Sequence, residues 1–330
     1  MKKINLAIVG ATGMVGRTFL KVLEERNFPY NKLFLFASKN SAGKILTCKG
    51  EEYTVLELTE DSFKEDIDIA LFSAGGEISA KFSPIAAKNG VVVVDNSSAF
   101  RMDDNVPLVV PEVNPEAILN SKGIIANPNC STIQAMVALS PIHKKYGIKR
   151  IVYSTYQSVS GSGVKGVSDL DEGLKGNIQL KAYPHQIANN CIPHIDVFEE
   201  NGYTKEEMKM INETKKILND YSLKITATAV RVPVYYAHSE SINIELKKPF
   251  EIEDIIKLYQ NTEGLILRDD ISKNIYPLAS EAENTDEVYV GRVRRDFSVE
   301  NGLNIWVVAD NIRKGAATNT IQIAEKLINL

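Results

Sequence analysis

An unbroken apolar run, Ile4 to Val9, leads straight into Gly10-Ala11-Thr12-Gly13-Met14-Val15-Gly16, and a helical pattern follows from Arg17 to Glu25. Few folds accept a strand that ends in a glycine turn and restarts as a helix. Glycines there permit a tight turn and let the backbone approach a pyrophosphate at the helix N-terminus. The spacing is G-x-x-G-x-x-G, not the commoner G-x-G-x-x-G, so its weight comes from its place directly after the first strand. Gly10 and Gly13 are therefore candidate cofactor contacts.

More parallel-type strands follow. Leu33 to Ala37 ends in Ser38-Lys39-Asn40-Ser41-Ala42-Gly43, Ile67 to Ser73 ends in Ser73-Ala74-Gly75-Gly76, and Val91 to Asp95 ends in Asn96-Ser97-Ser98-Ala99-Phe100-Arg101. Small polar residues at strand ends, Ser73 and Gly75 among them, let a ligand approach the backbone. NAD-binding chains carry an acid near the end of the second strand for the ribose 2′-hydroxyl. Here two hydroxyls, an amide and a lysine stand in that place, a set that suits a 2′-phosphate and favours NADP; the alternative is a solvated turn. Arg101, just beyond a strand end, is placed for an anion. Lys44 to Leu58 alternates as a hairpin around Lys49-Gly50, with Cys48 as a filler.

The chemistry centres on Ile124 to Thr132. Gly123 to Asn127 reads as a short buried strand, Pro128 forces a bend, and Ser131 onward reads as a helix that stops at Gly147. Cys130 then falls in the first helical turn, where unpaired N–H groups and the helix dipole stabilise a thiolate. Such a thiol is a nucleophile at neutral pH. Its alternative role is that of a small buried hydrophobe.

Composition narrows the partners. A chain of 330 residues suggests two domains, and a net charge of -4 offers no footprint for nucleic acid. No apolar run approaches the ~20 residues of a membrane span. The apolar N-terminus enters a glycine turn and reads as a strand, not a signal peptide. Three cysteines, Cys48, Cys130 and Cys191, odd in number and far apart, indicate a reducing compartment, with cytoplasm the default, and argue against disulfides or a metal site.

Beyond Gly147 the pattern changes. Arg150 to Ser158 alternates as a strand, Val159 to Gly163 reads as a flexible turn, and Asp169 to Asn190 reads as irregular or briefly helical. His185, His194 and Cys191 fall there and read as structural. Thr204 to Asp220 is a helix with a capping box at Thr204 and Glu207, and Glu206 and Lys209 share a face. Lys224 to Val234 and His238 to Lys247 read as antiparallel strands joined by Tyr235-Tyr236-Ala237. Arg231 lies in an apolar run, where an arginine is costly unless it meets an anion. His238 is the histidine placed as a pocket residue. Glu251 to Tyr259 reads as a helix, and Gly264 to Arg268, Asp286 to Arg294 and Leu303 to Asp310 read as strands. A final amphipathic helix, Ala316 to Leu330, must dock, and the cofactor domain is its expected place.

GATGMVG, FSAGG, DNSSAFR, VPEVNP, NPNCST, QSVSGSG, EEMK, VRVPVYYAHSE and DNIRKGAATN occur in this order along the whole chain. Together they resemble the aspartate-β-semialdehyde dehydrogenase family. The resemblance implies a Rossmann-type dinucleotide-binding domain (1–129 plus 311–330) and an α+β catalytic and dimerisation domain (130–310), forming a homodimer. It implies Cys130 as the attacking thiol, His238 as acid/base and Gln157 as the group orienting the acyl intermediate. It implies Arg231 at the substrate carboxylate, Glu206 at its amino group, and Lys209, Arg101 and Asn129 at inorganic phosphate and the active-site loop. Thr12, Gly13, Met14, Val15, Ser38, Lys39, Asn40, Ser41, Ser160, Gly161 and Asn311 match NADP contacts, although Asn40 stands where bacterial relatives often have arginine. The implied reaction joins aspartate semialdehyde, phosphate and NADP to aspartyl phosphate, in reverse toward lysine, threonine and methionine. A reductase of another acyl phosphate, such as N-acetylglutamyl phosphate, would share thiol, histidine and cofactor; Arg231 with Glu206 is the discriminating pair. A non-catalytic NADP-binding sensor would need none of these groups.

Overall fold

The computed structural model describes residues 3–329. The chain divides into two compact units, Met1–Asn129 with Ala316–Leu330, and Cys130–Gly315.

The first unit contains β1 (Ile4–Val9), α1 (Met14–Glu25), β2 (Tyr30–Ala37), β3 (Ile45–Cys48), β4 (Glu51–Thr54), β5 (Leu56–Glu57), β6 (Ile69–Phe72), α2 (Gly76–Lys88), β7 (Val92–Asp95) and β8 (Ile124–Ala126). Six strands form one sheet in the order β5-β2-β1-β6-β7-β8, every pair parallel. The β3–β4 hairpin stands apart from it. All six residues of β1 are buried, because the sheet is covered on both faces. Leu6 and Ile8 pack with Phe19, Leu23 and the C-terminal helix residues Ile321 and Ala324. Ala7 and Val9 pack on the other side with Phe36, Phe72 and Phe82. Each large aliphatic side chain buried this way contributes about 1.5–3 kcal/mol.

Helix α1 begins at Met14, three residues before the apolar pattern alone placed it. Gly16 belongs to the first helical turn: a Cβ there would stand 2.2 Å from the Gly10 carbonyl oxygen. The last glycine of the motif serves helix packing, not the turn. Gly10 itself has φ +89, and a Cβ would meet the Ser73 carbonyl at 2.3 Å. Only glycine fits there.

The second unit contains α3 (Cys130–Tyr146), β9 (Ile148–Gln157), α4 (Gly163–Leu174), α5 (Lys205–Leu218), β10 (Lys224–Arg231), β11 (His238–Leu246), α6 (Ile252–Gln260), β12 (Leu265–Leu267), α7 (Ala279–Ala282), β13 (Val288–Asp296) and β14 (Gly302–Ala309). Its sheet runs β10-β9-β11-β14-β13-β12. Helix α3 is buried almost throughout and packs on β9, β11, β13 and β14. Strand β11 alternates strictly, with His238, Glu240, Ile242, Ile244 and Leu246 on the buried face.

Two expectations need correction. β10 and β11 run antiparallel but do not pair, because β9 lies between them, parallel to β10 and antiparallel to β11. The 232–237 connection therefore crosses β9 and is not a hairpin turn. The stretch read as a turn followed by irregular or briefly helical structure contains a full 12-residue helix, α4, which starts at Gly163. Gly163, Gly166 and Gly173 hid it, since glycine disfavours helix interiors; Gly166 and Gly173 instead allow close packing against Tyr183 and Ala188.

Candidate active site

In the first unit, the loop after β1 leaves the start of α1 open. Gly13 caps it with no side-chain bond, and no acidic residue lies in the first turn. Its N–H groups are thus left to an anion. The Ser38–Ser41 turn lies beside this loop, with the Thr12 hydroxyl donating to Ser41 Oγ at 3.3 Å. Ser38, Lys39 and Asn40 are exposed. The fold also brings an acid that strand-end reading overlooked: Glu57, opposite Ala37 in the short β5 pairing. Ser73 and Gly75 follow β6, and Gly75 has φ +89 with open space beside it. These features fit a dinucleotide.

Arg101 is buried in the same unit, tied by its Nε to the Asn127 carbonyl at 2.9 Å and by Nη2 to the Asn96 carbonyl at 3.0 Å. Asn127 is in turn held by Asn96 and Asn319 side chains, each at 2.7 Å. The loop that carries buried Asn129 toward Cys130 is thereby fixed at its start.

In the second unit, Cys130 is the first residue of α3 and is half-buried. The turn at 310–315 closes over it. Asp310 Oδ1 accepts the Ile312 and Arg313 N–H groups, and a Cβ on Gly315 would stand 2.8 Å from the Cys130 Cβ. Only a glycine allows that approach.

The ends of β9, β10 and β11 carry the remaining groups. His238 is fully buried. Its Nδ1 lies 3.1 Å from the Ser158 backbone nitrogen and 3.0 Å from Ser158 Oγ. Nε2 has no protein partner. Ser158 Oγ also donates to Asn311 Oδ1 at 3.0 Å, and that oxygen takes the Ser160 hydroxyl and the Ala237 N–H as well. With its hydrogen given to Asn311, the Ser158 hydroxyl can accept from an Nδ1–H, the tautomer that leaves Nε2 able to take a proton. Burial first, and the Arg231 charge second, hold the imidazole well below its ordinary range. Arg231 Nη1 donates to the Ser158 carbonyl at 2.6 Å. Gly161 lies over both: a Cβ there would be 2.9 Å from Arg231 Nη1 and 3.3 Å from the His238 ring.

Gln157, beside Arg231 in the β9–β10 register, donates from Nε2 to Thr155 Oγ1 at 3.3 Å and to Glu206 Oε1 at 3.2 Å. Glu206 Oε2 accepts from Lys209 at 3.1 Å. The capping box places this pair: Glu207 closes on Thr204 and, with its other oxygen, takes the Ala229 N–H of β10 at 3.0 Å. Gln157, Glu206, Arg231, His238, Ser160 and Asn311 thus form one buried polar cluster within the second unit.

Residues 5–121 match the family model of the semialdehyde dehydrogenase NAD-binding domain, and residues 139–314 that of its dimerisation domain. An aspartate-semialdehyde dehydrogenase of Aquifex aeolicus is 59% identical, with 98% of each chain covered. The chain belongs to the aspartate-semialdehyde dehydrogenase family. The family's solved structures include that of aspartate semialdehyde dehydrogenase II from Vibrio cholerae complexed with ASA, 50% identical with a TM-score of 0.96 over 100% of this chain and 99% of that one. A more distant member is the Candida albicans enzyme with NADP, 25% identical, with a TM-score of 0.79 and 99% of each chain covered.

Several polar groups around this cluster have no role assigned from the sequence, although Ser158 and Glu240 lie inside the motifs QSVSGSG and VRVPVYYAHSE. Ser158 escaped notice because serine in a turn is common. Glu240 was legible, since it lies two residues after His238 on a strand and so shares its face. It is fully buried with neither oxygen bonded. Burial, then the Glu206 charge, push its carboxyl well above the ordinary range. Asp196, from an irregular stretch, bonds Lys209 Nζ at 2.8 Å. Cys48 is core, and His194 stacks on Phe198. Among the described residues no cluster of His, Cys, Asp and Glu is placed to hold a metal, and no helix is long and apolar enough to cross a membrane.

Proposed function

We propose that the chain is an NADP-dependent, phosphorylating aspartate-semialdehyde dehydrogenase. The observation that carries this reading is the cluster in which a buried arginine, a buried glutamate and a histidine with a free Nε2 meet at one sheet end. Those are the complements of a substrate carboxylate, an ammonium and a hydroxyl proton.

Cys130 Sγ adds to the aldehyde carbon, and the thiohemiacetal oxygen's proton passes to His238 Nε2, with Ser158 Oγ taking the ring's opposite N–H. NADP, when bound, accepts the hydride that leaves this carbon. The resulting thioester is oriented by Gln157, and phosphate, held by Arg101 and Lys209 with Asn129 in the loop, attacks it and releases the thiolate. Arg231 forks onto the substrate carboxylate and Glu206 faces its ammonium. The biosynthetic direction is the reverse.

NADP is favoured by Lys39 with Ser38 and Ser41, beside Asn40; Gly10, Thr12, Gly13, Met14, Val15, Ser73 and Gly75 serve the rest of the dinucleotide, with Ser160, Gly161 and Asn311 toward the nicotinamide. The Candida albicans relative carries NADP. We assign a homodimer through the second unit, whose exposed sheet face presents Tyr156 and Trp306, ring centroids 5.6 Å apart. A cytoplasmic setting accords with three cysteines, odd in number and far apart in the sequence. The test is NADPH formation from aspartate semialdehyde with and without phosphate. Sustained turnover should require phosphate; turnover that ignores phosphate, or that prefers an N-acetylated semialdehyde, would overturn the reading.

A further inference from the structure

Arg231 is a buried cation that makes no ion pair among the described residues, and its Nε has no partner. A protein carboxylate beside it would neutralise the guanidinium and compete with a substrate carboxylate for its N–H edges. An aromatic face attracts the cation and leaves those edges open. The ring of Tyr183 stands in that place: Arg231 Cζ lies over it, 5.9 Å from its centroid, and Tyr183 is itself buried. Burial raises the Tyr183 hydroxyl above its ordinary value, so the ring is a neutral phenol at neutral pH.

The segment from α4 to β10 is built to put the ring there. Asp169, buried in α4, accepts the Lys181 N–H at 3.0 Å and the Ala182 N–H at 2.8 Å, which fixes the backbone directly before Tyr183. Gly166, one turn earlier, makes room for the phenol: a Cβ there would stand 2.5 Å from the Tyr183 hydroxyl oxygen. That hydroxyl donates to the Val159 carbonyl at 3.4 Å, in the turn that holds Ser160 and Gly161. Ile192 shares an apolar cluster with Tyr183 and grips the Arg231 main chain in both directions, at 2.9 Å and 2.8 Å. One segment thus holds the arginine by its backbone and faces its guanidinium.

We infer that Tyr183 is a positioning residue for substrate recognition: its ring face holds the Arg231 guanidinium in place and leaves Nε unpaired for the substrate's carboxylate. The Ser158 carbonyl fixes one corner of the guanidinium through Nη1, at 2.6 Å. A single hydrogen bond allows the group to swing about it, and the ring restrains that swing without using another N–H.

This inference rests on the proposed function, and its test separates the two. Tyr183→Leu and Tyr183→Phe are compared with wild type on aspartate semialdehyde and on 3-aminopropanal, which has the same aldehyde and amino group but no carboxylate. Tyr183→Leu should raise the KM for aspartate semialdehyde roughly tenfold, the scale of a desolvated cation–π contact. Its kcat/KM for 3-aminopropanal and its KM for NADP should stay within about twofold of wild type. Tyr183→Phe keeps the ring face and should stay within about twofold throughout. Phenylalanines carrying one, two and three ring fluorines at position 183 keep the shape while weakening the face, and should raise the KM for aspartate semialdehyde stepwise; this series decides the matter if Tyr183→Leu does not fold. Equal losses on the two aldehydes, a loss in Tyr183→Phe as large as in Tyr183→Leu, or no gradient along the fluorine series would overturn the inference while wild-type activity stands. A wild type that does not oxidise aspartate semialdehyde would overturn the functional reading, and the inference with it.

Discussion

Among the described residues, Asp95 in the first unit and Glu240 in the second are carboxyls with no exposed surface, and the two are treated in opposite ways. Asp95, at the end of β7, accepts Ser79 Oγ at 2.8 Å, Ser97 N–H at 3.0 Å and Ser97 Oγ at 2.7 Å. Glu240, two residues into β11, has no partner on either oxygen. Among the described residues the first unit leaves one buried side-chain polar atom without a partner, the Ser83 hydroxyl, and it leaves binding to backbone at strand ends. The second unit keeps unpaired polar atoms in its interior: Glu240, His238 Nε2, Arg231 Nε and Gln134 Oε1. Such atoms cost stability, and His238 Nε2, Glu240 and Arg231 Nε lie on the two strands that carry the candidate reacting groups.

The largest expected effect separates the units by function. Cys130→Ala should lower turnover by more than about 10⁴-fold, yet leave cofactor binding, measured by fluorescence titration, intact. Loss of cofactor binding would show that the units are not divided in this way. Next comes a change in the first unit. Lys39→Glu should lower the NADP-to-NAD ratio of kcat/KM by roughly tenfold or more, because a charge-assisted contact is lost and a repulsion gained. An unchanged ratio would remove the 38–41 turn from cofactor choice and direct attention to Glu57.

The buried carboxyls give smaller effects of opposite sign. Asp95→Asn leaves donors facing an amide and should cost about 1–3 kcal/mol in urea unfolding. Glu240→Gln mimics the neutral acid. The folded-state value of Glu240 is raised, so its contribution is present below the ordinary carboxyl range and is lost as pH rises toward that raised value. The glutamine variant should therefore match wild type near pH 4 and be the more stable protein at pH 8. Two curves that stay parallel would mean that Glu240 is not protonated in the fold.

The parallel sheet was legible because its strands are continuous apolar runs that end in turn residues, as β1 and its glycine loop show. The β10–β11 pairing was not legible: which strands are neighbours depends on a crossover over β9, and no local pattern encodes it. Helix α4 was hidden by glycines that serve packing against Tyr183 and Ala188. Of the site, Cys130, Arg231 and His238 could be singled out from residue type and position. The partners that tune them could not. Ser158 acts through one hydroxyl, and Asp196 reaches Lys209 across 13 residues of sequence from an irregular loop.

The central claim is that Cys130 carries the acyl group from aldehyde to phosphate. Mixing enzyme, NADP and aspartate semialdehyde without phosphate should give a burst of one NADPH per active site and an aspartyl adduct on the Cys130 peptide by mass spectrometry, and phosphate should discharge it. A burst with no adduct, or an adduct on Cys48 or Cys191, would contradict the account.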